Sequence, residues 1–214
     1  MSTSRRKLLD RRVNVRDAAI YYIASEGTYA ADLYFRALQS NGVIDRSRVK
    51  LIVLPSTGGQ SAPKQLVYRL DDVRKGLDTK LPQDEFWLLP DIDHHRDKEL
   101  SDVALLADQK GYLLAASNPC FEVWLILHET DNLSDLVTHG ENSSAAAACV
   151  DKLRRLTGHY NKRMLDPSLY TAEKLFAAEE RAKKIDNEAR WPVEVGTHVH
   201  RLTMRLPRNF VAPR

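Results

Sequence analysis

Ala18-Ala19-Ile20-Tyr21-Tyr22-Ile23-Ala24 is an unbroken run of apolar, mostly β-favouring residues. Continuity without alternation is the pattern of a strand covered on both faces. Ser25-Glu26-Gly27-Thr28 interrupts it, and Ala31, Tyr34, Phe35 and Leu38 then recur at helical spacing until Asn41-Gly42 ends the helix. Val49 to Leu54 is a second buried strand, closed by Pro55-Ser56-Thr57-Gly58-Gly59 and followed by a helical stripe at Leu66, Leu70, Val73 and Leu77. Phe86 to Leu89 makes a third strand, Leu100, Val103, Ala104 and Ala107 a third helix, and Tyr112 to Ala116 a fourth strand.

Strands alternating with helices in this way predict an α/β fold: a mostly parallel, Rossmann-like sheet flanked by helices on both faces. From about residue 118 the pattern is almost wholly helical. The expected layout is a basic arm over 1–13, the α/β core over 14–117, and a mainly helical extension over 118–214 packed on that core. Within the extension, 134–144 is a polar insertion, Thr171 to Ala189 is a long charged helix, and the closing PRNFVAPR is expected to fray.

Composition changes this picture little. With 214 residues, 43% apolar and 29% charged, the chain is long enough for a full α/β core and is globular in character. Cys120 and Cys149 are its only cysteines, without metal-type spacing, so no disulfide framework is expected. MSTSRRKLLDRR lacks the apolar segment of a signal peptide, and Val123 to Leu127 is far too short to cross a bilayer. A soluble, cytoplasmic protein with no membrane association is expected. The net charge of +3 is too small to decide for or against nucleic acid.

The candidate chemistry begins at WLLPDIDHH, residues 87–95, where a strand runs out into two aspartates one residue apart. In extended backbone Asp91 and Asp93 point the same way. At about 4 Å, with an effective dielectric near 20, their repulsion is on the order of 4 kcal/mol. Ligands of open parallel sheets sit beyond the carboxyl ends of the strands, and Glu26 follows the first strand as Asp91 and Asp93 follow the third. If those strands are neighbours, three carboxylates converge, a donor set suited to a hard divalent cation, Mg²⁺ or Mn²⁺. The plainer alternative is that these aspartates cap a helix or shape a turn.

SNPCFEVWLILHE adds a second anchor. Asn118 suits an N-cap and Pro119 the first helical position, and Glu122 then enters an almost wholly apolar helix. A buried carboxylate needs a partner: a metal, a basic side chain, or a phosphate-binding group.

Together IASEG with Tyr34-Phe35, LLPDID, LAASNPCFEVWLILHE, YNK at 160–162, ERAKKI and GTHVHRLTMRL resemble the RloB-like family over most of the chain. The family's catalytic unit looks like a Toprim domain. The resemblance implies metal-dependent phosphoryl-transfer chemistry, with Glu26 as the Toprim glutamate and Asp91 and Asp93 as its DxD pair. It also implies site positions at Glu122, Lys162 and His128, and a bacterial antiphage or abortive-infection setting, often beside an ATPase. Glu26 could then act as general acid or base, or as a further ligand. His94 and His95 either touch the phosphate or metal or simply open the next loop. One departure stands out. The family usually carries Thr-Glu before Tyr-Phe, where this chain has Ala30-Ala31, with Asp32 next door as a substitute.

Basic residues cluster at Arg5, Arg6, Lys7, Arg11 and Arg12, at Lys162-Arg163, and at Arg181, Lys183 and Lys184. Such patches attract phosphate backbones, although Glu179, Glu180 and Glu188 interleave the last. Arg5, Arg6, Lys7, Arg12, Lys162 and Arg163 are therefore the candidate nucleic-acid contacts. His198 and His200, two apart in a helical region, should face different ways and are set aside as a metal pair. The leading reading is a metal-dependent nuclease acting on DNA or RNA. The runner-up is a Toprim-like subunit without catalysis that serves an ATPase, and a DxD glycosyltransferase is third. A homo-oligomer is left open.

Overall fold

The computed structural model describes residues 18–54, 56, 62–77, 81–92, 97–136 and 145–209. Four parallel strands form the main sheet: β1 (Ala19–Ser25), β2 (Val49–Leu54), β3 (Glu85–Leu89) and β4 (Leu113–Leu114). Helices α1 (Ala30–Ser40), α2 (Pro63–Lys75) and α3 (Asp97–Lys110) connect them. The expected α/β, Rossmann-like architecture is what forms. The strand order is β2-β1-β3-β4, so β1 lies between β2 and β3. Its register runs Ala24 opposite Leu54 on one side and Ser25 opposite Leu89 on the other. The chain thus leaves β1 toward one edge and returns past it to the other, which makes the β1–β3 junction a topological switch point.

Successive residues of a strand face opposite layers. Ile20, Tyr22 and Ala24, with Phe86 and Leu88, pack on Leu66, Val67 and Leu70 of α2 and on Val103 and Ala107 of α3. Tyr22 stacks on Phe86, with ring centroids 4.9 Å apart. Tyr21, Ile23, Trp87 and Leu89 face the other way, toward α1 and the helices of the second half. Burial on both faces is why β1 and β3 carry unbroken apolar runs. At the opposite end of the sheet from the β1–α1 loop, the buried Asp84 carboxylate accepts from Ile20 N (2.8 Å) and Leu81 N (3.0 Å).

The second half is built round α4 (Glu122–Glu129), buried from Glu122 through His128. A helix apolar on all sides has to lie inside, and α4 is enclosed by α5 (Ala145–Thr157) and α6 (Ala172–Ile185). A two-residue antiparallel pair, β5 (Ser117–Asn118) with β6 (Gly196–Thr197), and α7 (Val199–Thr203) complete it. No helix among the described residues is long and apolar enough to cross a membrane.

Several local expectations are corrected. Helix α4 starts three residues later than Asn118-Pro119 suggests, because β6 commits Asn118 to an extended pairing. The Asn118 amide donates instead to the carbonyls of Pro192 and Val193. Helix α6 ends at Ile185, not Ala189, since the Asp186 carboxylate accepts two bonds from Arg201, at 2.8 and 2.6 Å. The polar insertion begins with a 3₁₀ turn at Ser134–Leu136, where Asp135 pairs with the buried Lys152 and with Arg155; 137–144 lie outside the described residues. The C-terminal segment is anchored as far as Asn209, and 210–214 lie outside the described residues. Arg208 pairs with the buried Glu179, and the Asn209 amide donates to the carbonyls of Gly42 and Ile44.

Candidate functional site

The loop after β1 and the segment after β3 meet where their ladder stops, with Glu26 N donating to Leu89 O at 3.2 Å. From there the Glu26 carboxylate reaches across and accepts from Asp91 N through Oε2 at 3.1 Å. Asp91 in turn accepts from Phe121 N through Oδ1 at 2.9 Å. Two side chains from separate strands are therefore aimed by main-chain N–H groups, one to the next, ending at the start of α4.

Glu26, Asp91 and Glu122 line a cavity of about 420 Å³ together with Lys162 and Arg163 from the loop after α5. Glu122 is buried. Its Oε1 accepts from the Tyr160 hydroxyl at 3.0 Å and pairs with Lys162 Nζ at 2.8 Å. The buried carboxylate thus has the basic partner that its environment demands. Burial works against the Lys162 charge, but Glu122, followed by the more distant Cys120 and Asp91, holds its pKa above that of an ordinary lysine. Burial first, and then the Glu122 charge, push the Tyr160 phenol upward, so it remains a donor.

Arg69, which local sequence patterns do not single out, braces the floor. From α2 it donates to Leu54 O at 2.7 Å and to Ser25 O at 2.9 Å, joining the carboxyl ends of β2 and β1. Burial lowers its pKa and the neighbouring Glu26 opposes that. The only local signal was an arginine three residues after Leu66, on the edge of an apolar stripe. Arg69→Ala would leave two carbonyls without this donor and should cost about 2–3 kcal/mol, read as a lower urea midpoint at unchanged slope. Arg69→Lys should recover only part, since one ammonium lacks the guanidinium's fork.

The remaining candidates are dispersed. Asp32 faces its own helix, accepting from Arg36 Nε at 2.9 Å through both oxygens, and lines a groove beside Leu51, Ile52 and Val53. It is not among the residues lining the first cavity, because one helical step past the cavity-lining Ala30 and Ala31 turns it toward the sheet edge. His128 lies on the buried side of α4 among Tyr34, Trp124 and Tyr170 and is not a cavity residue. Arg181 donates to Leu127 O and Lys183 pairs with Glu180, both structural uses. His198 and His200 do not face apart. His198 precedes α7 rather than continuing it, so both rings approach Asp186, at 3.4 and 3.1 Å, on a carboxylate that Arg201 also holds. Arg5, Arg6, Lys7, Arg11, Arg12, Asp93, His94 and His95 lie outside the described residues.

Among the described residues no group of three or more His, Cys, Asp or Glu is placed to hold a metal ion. Glu26 and Asp91 are nonetheless the hard oxygen donors that Mg²⁺ or Mn²⁺ prefers, at one strand edge and opening on one cavity. Their chemistry fits such an ion, with Asp93 as the third donor the sequence offers.

The sheet order and this cavity define an α/β protein with its site at the switch point of a parallel sheet. The chain belongs to the RloB-like family, described as RloB-like protein, which matches residues 21–206. No curated protein and no solved structure matches it.

Proposed function

We propose that this RloB-like protein is a metal-dependent nuclease that hydrolyses phosphodiester bonds of DNA or RNA, in bacterial antiphage defence. One observation carries the reading: Glu26 and Asp91 meet at the β1–β3 switch point and line one cavity with Lys162 and Arg163. Carboxylates and basic side chains lining one cavity suit a phosphodiester held between a cation site and fixed positive charge. The resemblance to Toprim units supplies the reaction class, and the resemblance to the RloB-like family the defence setting.

Glu26, Asp91 and Asp93 would hold Mg²⁺ or Mn²⁺. When bound, such an ion offsets phosphate charge and makes a bound water more acidic. Lys162 stays protonated, so its role is a charge on a non-bridging phosphate oxygen rather than a base. Glu122 positions that ammonium, and Tyr160 positions Glu122. Arg163, Arg5, Arg6, Lys7 and Arg12 are the candidate contacts to the nucleic acid beyond the reacting bond.

A second reading is a catalytically silent subunit of a partner ATPase. Its support is that Ala30 and Ala31 line the cavity where the family pattern carries a glutamate. The two separate in one assay. Purified protein with Mg²⁺ or Mn²⁺ should cleave at least one of single- or double-stranded DNA or RNA, be silent in chelator, and lose activity in Glu26→Gln. Absence of cleavage on all four substrates with either ion would leave the ATPase-subunit reading in its place.

A further inference from the structure

Tyr29, the last residue before α1, lines the cavity mouth and is 45% exposed. The Arg163 guanidinium lies over its ring, 5.5 Å from the centroid. The backbone of Arg163 is tied locally, its main-chain N–H donating to the Asn161 side chain at 2.9 Å. A partly exposed aromatic ring and a planar cation lying over it are the two kinds of surface on which nucleobases stack. The adjoining cavity, about 420 Å³, is at the small end of the roughly 300–1,000 Å³ range of pockets that hold one ligand. In a duplex the base faces are already stacked on their neighbours, so only an unpaired or extruded base can use this platform.

We infer that Tyr29 and Arg163 form a stacking platform for a single unpaired nucleotide, which makes a single strand the preferred ligand of the cavity. The inference rests on the reading of the cavity as a nucleic-acid site, and it assigns to that site a substrate form and a specificity-determining pair.

The test is fluorescence anisotropy of a labelled 12-nucleotide strand, as DNA and as RNA, alone and annealed to its complement, with Ca²⁺ in the buffer. The single strand should bind more tightly than the duplex. Tyr29→Ala should weaken single-strand binding by roughly five- to a hundred-fold, the range of one lost base–aromatic stack, and leave duplex binding unchanged. Tyr29→Phe and Tyr29→Trp should bind as wild type does, and the indole of Tyr29→Trp should be quenched by the strand. Equal binding of strand and duplex, no measurable binding of either, or a Tyr29→Ala that binds like Tyr29→Phe would each overturn the inference. Aromatic-dependent binding without cleavage under Mg²⁺ would sink the nuclease reading alone. Cleavage that needs Glu26 but ignores Tyr29→Ala would sink the platform alone.

Discussion

Asp91→Asn should lose nucleic-acid cleavage by on the order of a hundred-fold or more while keeping the fold. Asp91 Oδ1 accepts from Phe121 N at 2.9 Å, and the amide oxygen of asparagine can take the same bond, so the start of α4 stays in place. What disappears is one negative charge from the proposed cation site, and a cation's contribution to such a reaction is worth several kcal/mol. The same change removes one carboxylate charge from the cavity that Glu26 also lines, so the metal-free variant should be as stable as wild type or slightly more so. Adding Mg²⁺ or Mn²⁺ at about a hundred times its dissociation constant should stabilise wild type by about 2.7 kcal/mol, a rise in melting temperature of roughly 5–10 °C. Stripping the ion with chelator should reverse it. Thermal melts with and without ion decide the matter independently of any substrate. If wild type and Asp91→Asn shift equally, Asp91 does not hold the cation.

The protein should also lose stability steeply in mild acid, with His128 as a main cause. Its ring is fully buried on α4, with Nε2 3.1 Å from the Tyr34 hydroxyl and Nδ1 without a hydrogen-bond partner among the described residues. Burial, then the positive charges of Lys174 and Arg181, pull its pKa down to about 3. In the unfolded chain the imidazole titrates near 6.5. Between those values the unfolded state binds the extra proton, so the stabilisation is complete above about 6.5 and declines as the pH falls toward 3. One proton contributes about 1.4 kcal/mol per pH unit, or about 2 kcal/mol lost by pH 5. His198, lowered to about 4 chiefly by burial, acts in the same direction. His128→Phe keeps an aromatic ring in the cluster and removes the titration. Urea unfolding at pH 7 and pH 5 should show a smaller loss for the variant than for wild type, by about 2 kcal/mol. Equal losses would mean that His128 does not govern the acid limb.

The sequence by itself determined the alternation of strands and helices, the buried character of β1, β3 and α4, and the need of Glu122 for a partner. Each rests on local facts: unbroken apolar runs, helical spacing, and the cost of an unpaired charge in an apolar helix. It also placed Glu26 and Asp91 at strand ends, because a strand's last apolar residue marks where its side chains meet solvent. The order of the strands was not legible, since many orders satisfy the same apolar pattern. Only the tertiary structure put β1 beside β3 and so brought Glu26 to the Asp91 N–H. Residues far apart in sequence decided the rest. Gly196–Thr197 pairing with Ser117–Asn118 displaced the start of α4, Ser25 O and Leu54 O gave Arg69 its place, and Tyr29 met Arg163 across 134 positions. Local periodicity reports which side of an element is apolar. Which polar groups from separate elements share one cavity is set by how those apolar sides pack, and that is a property of the whole fold.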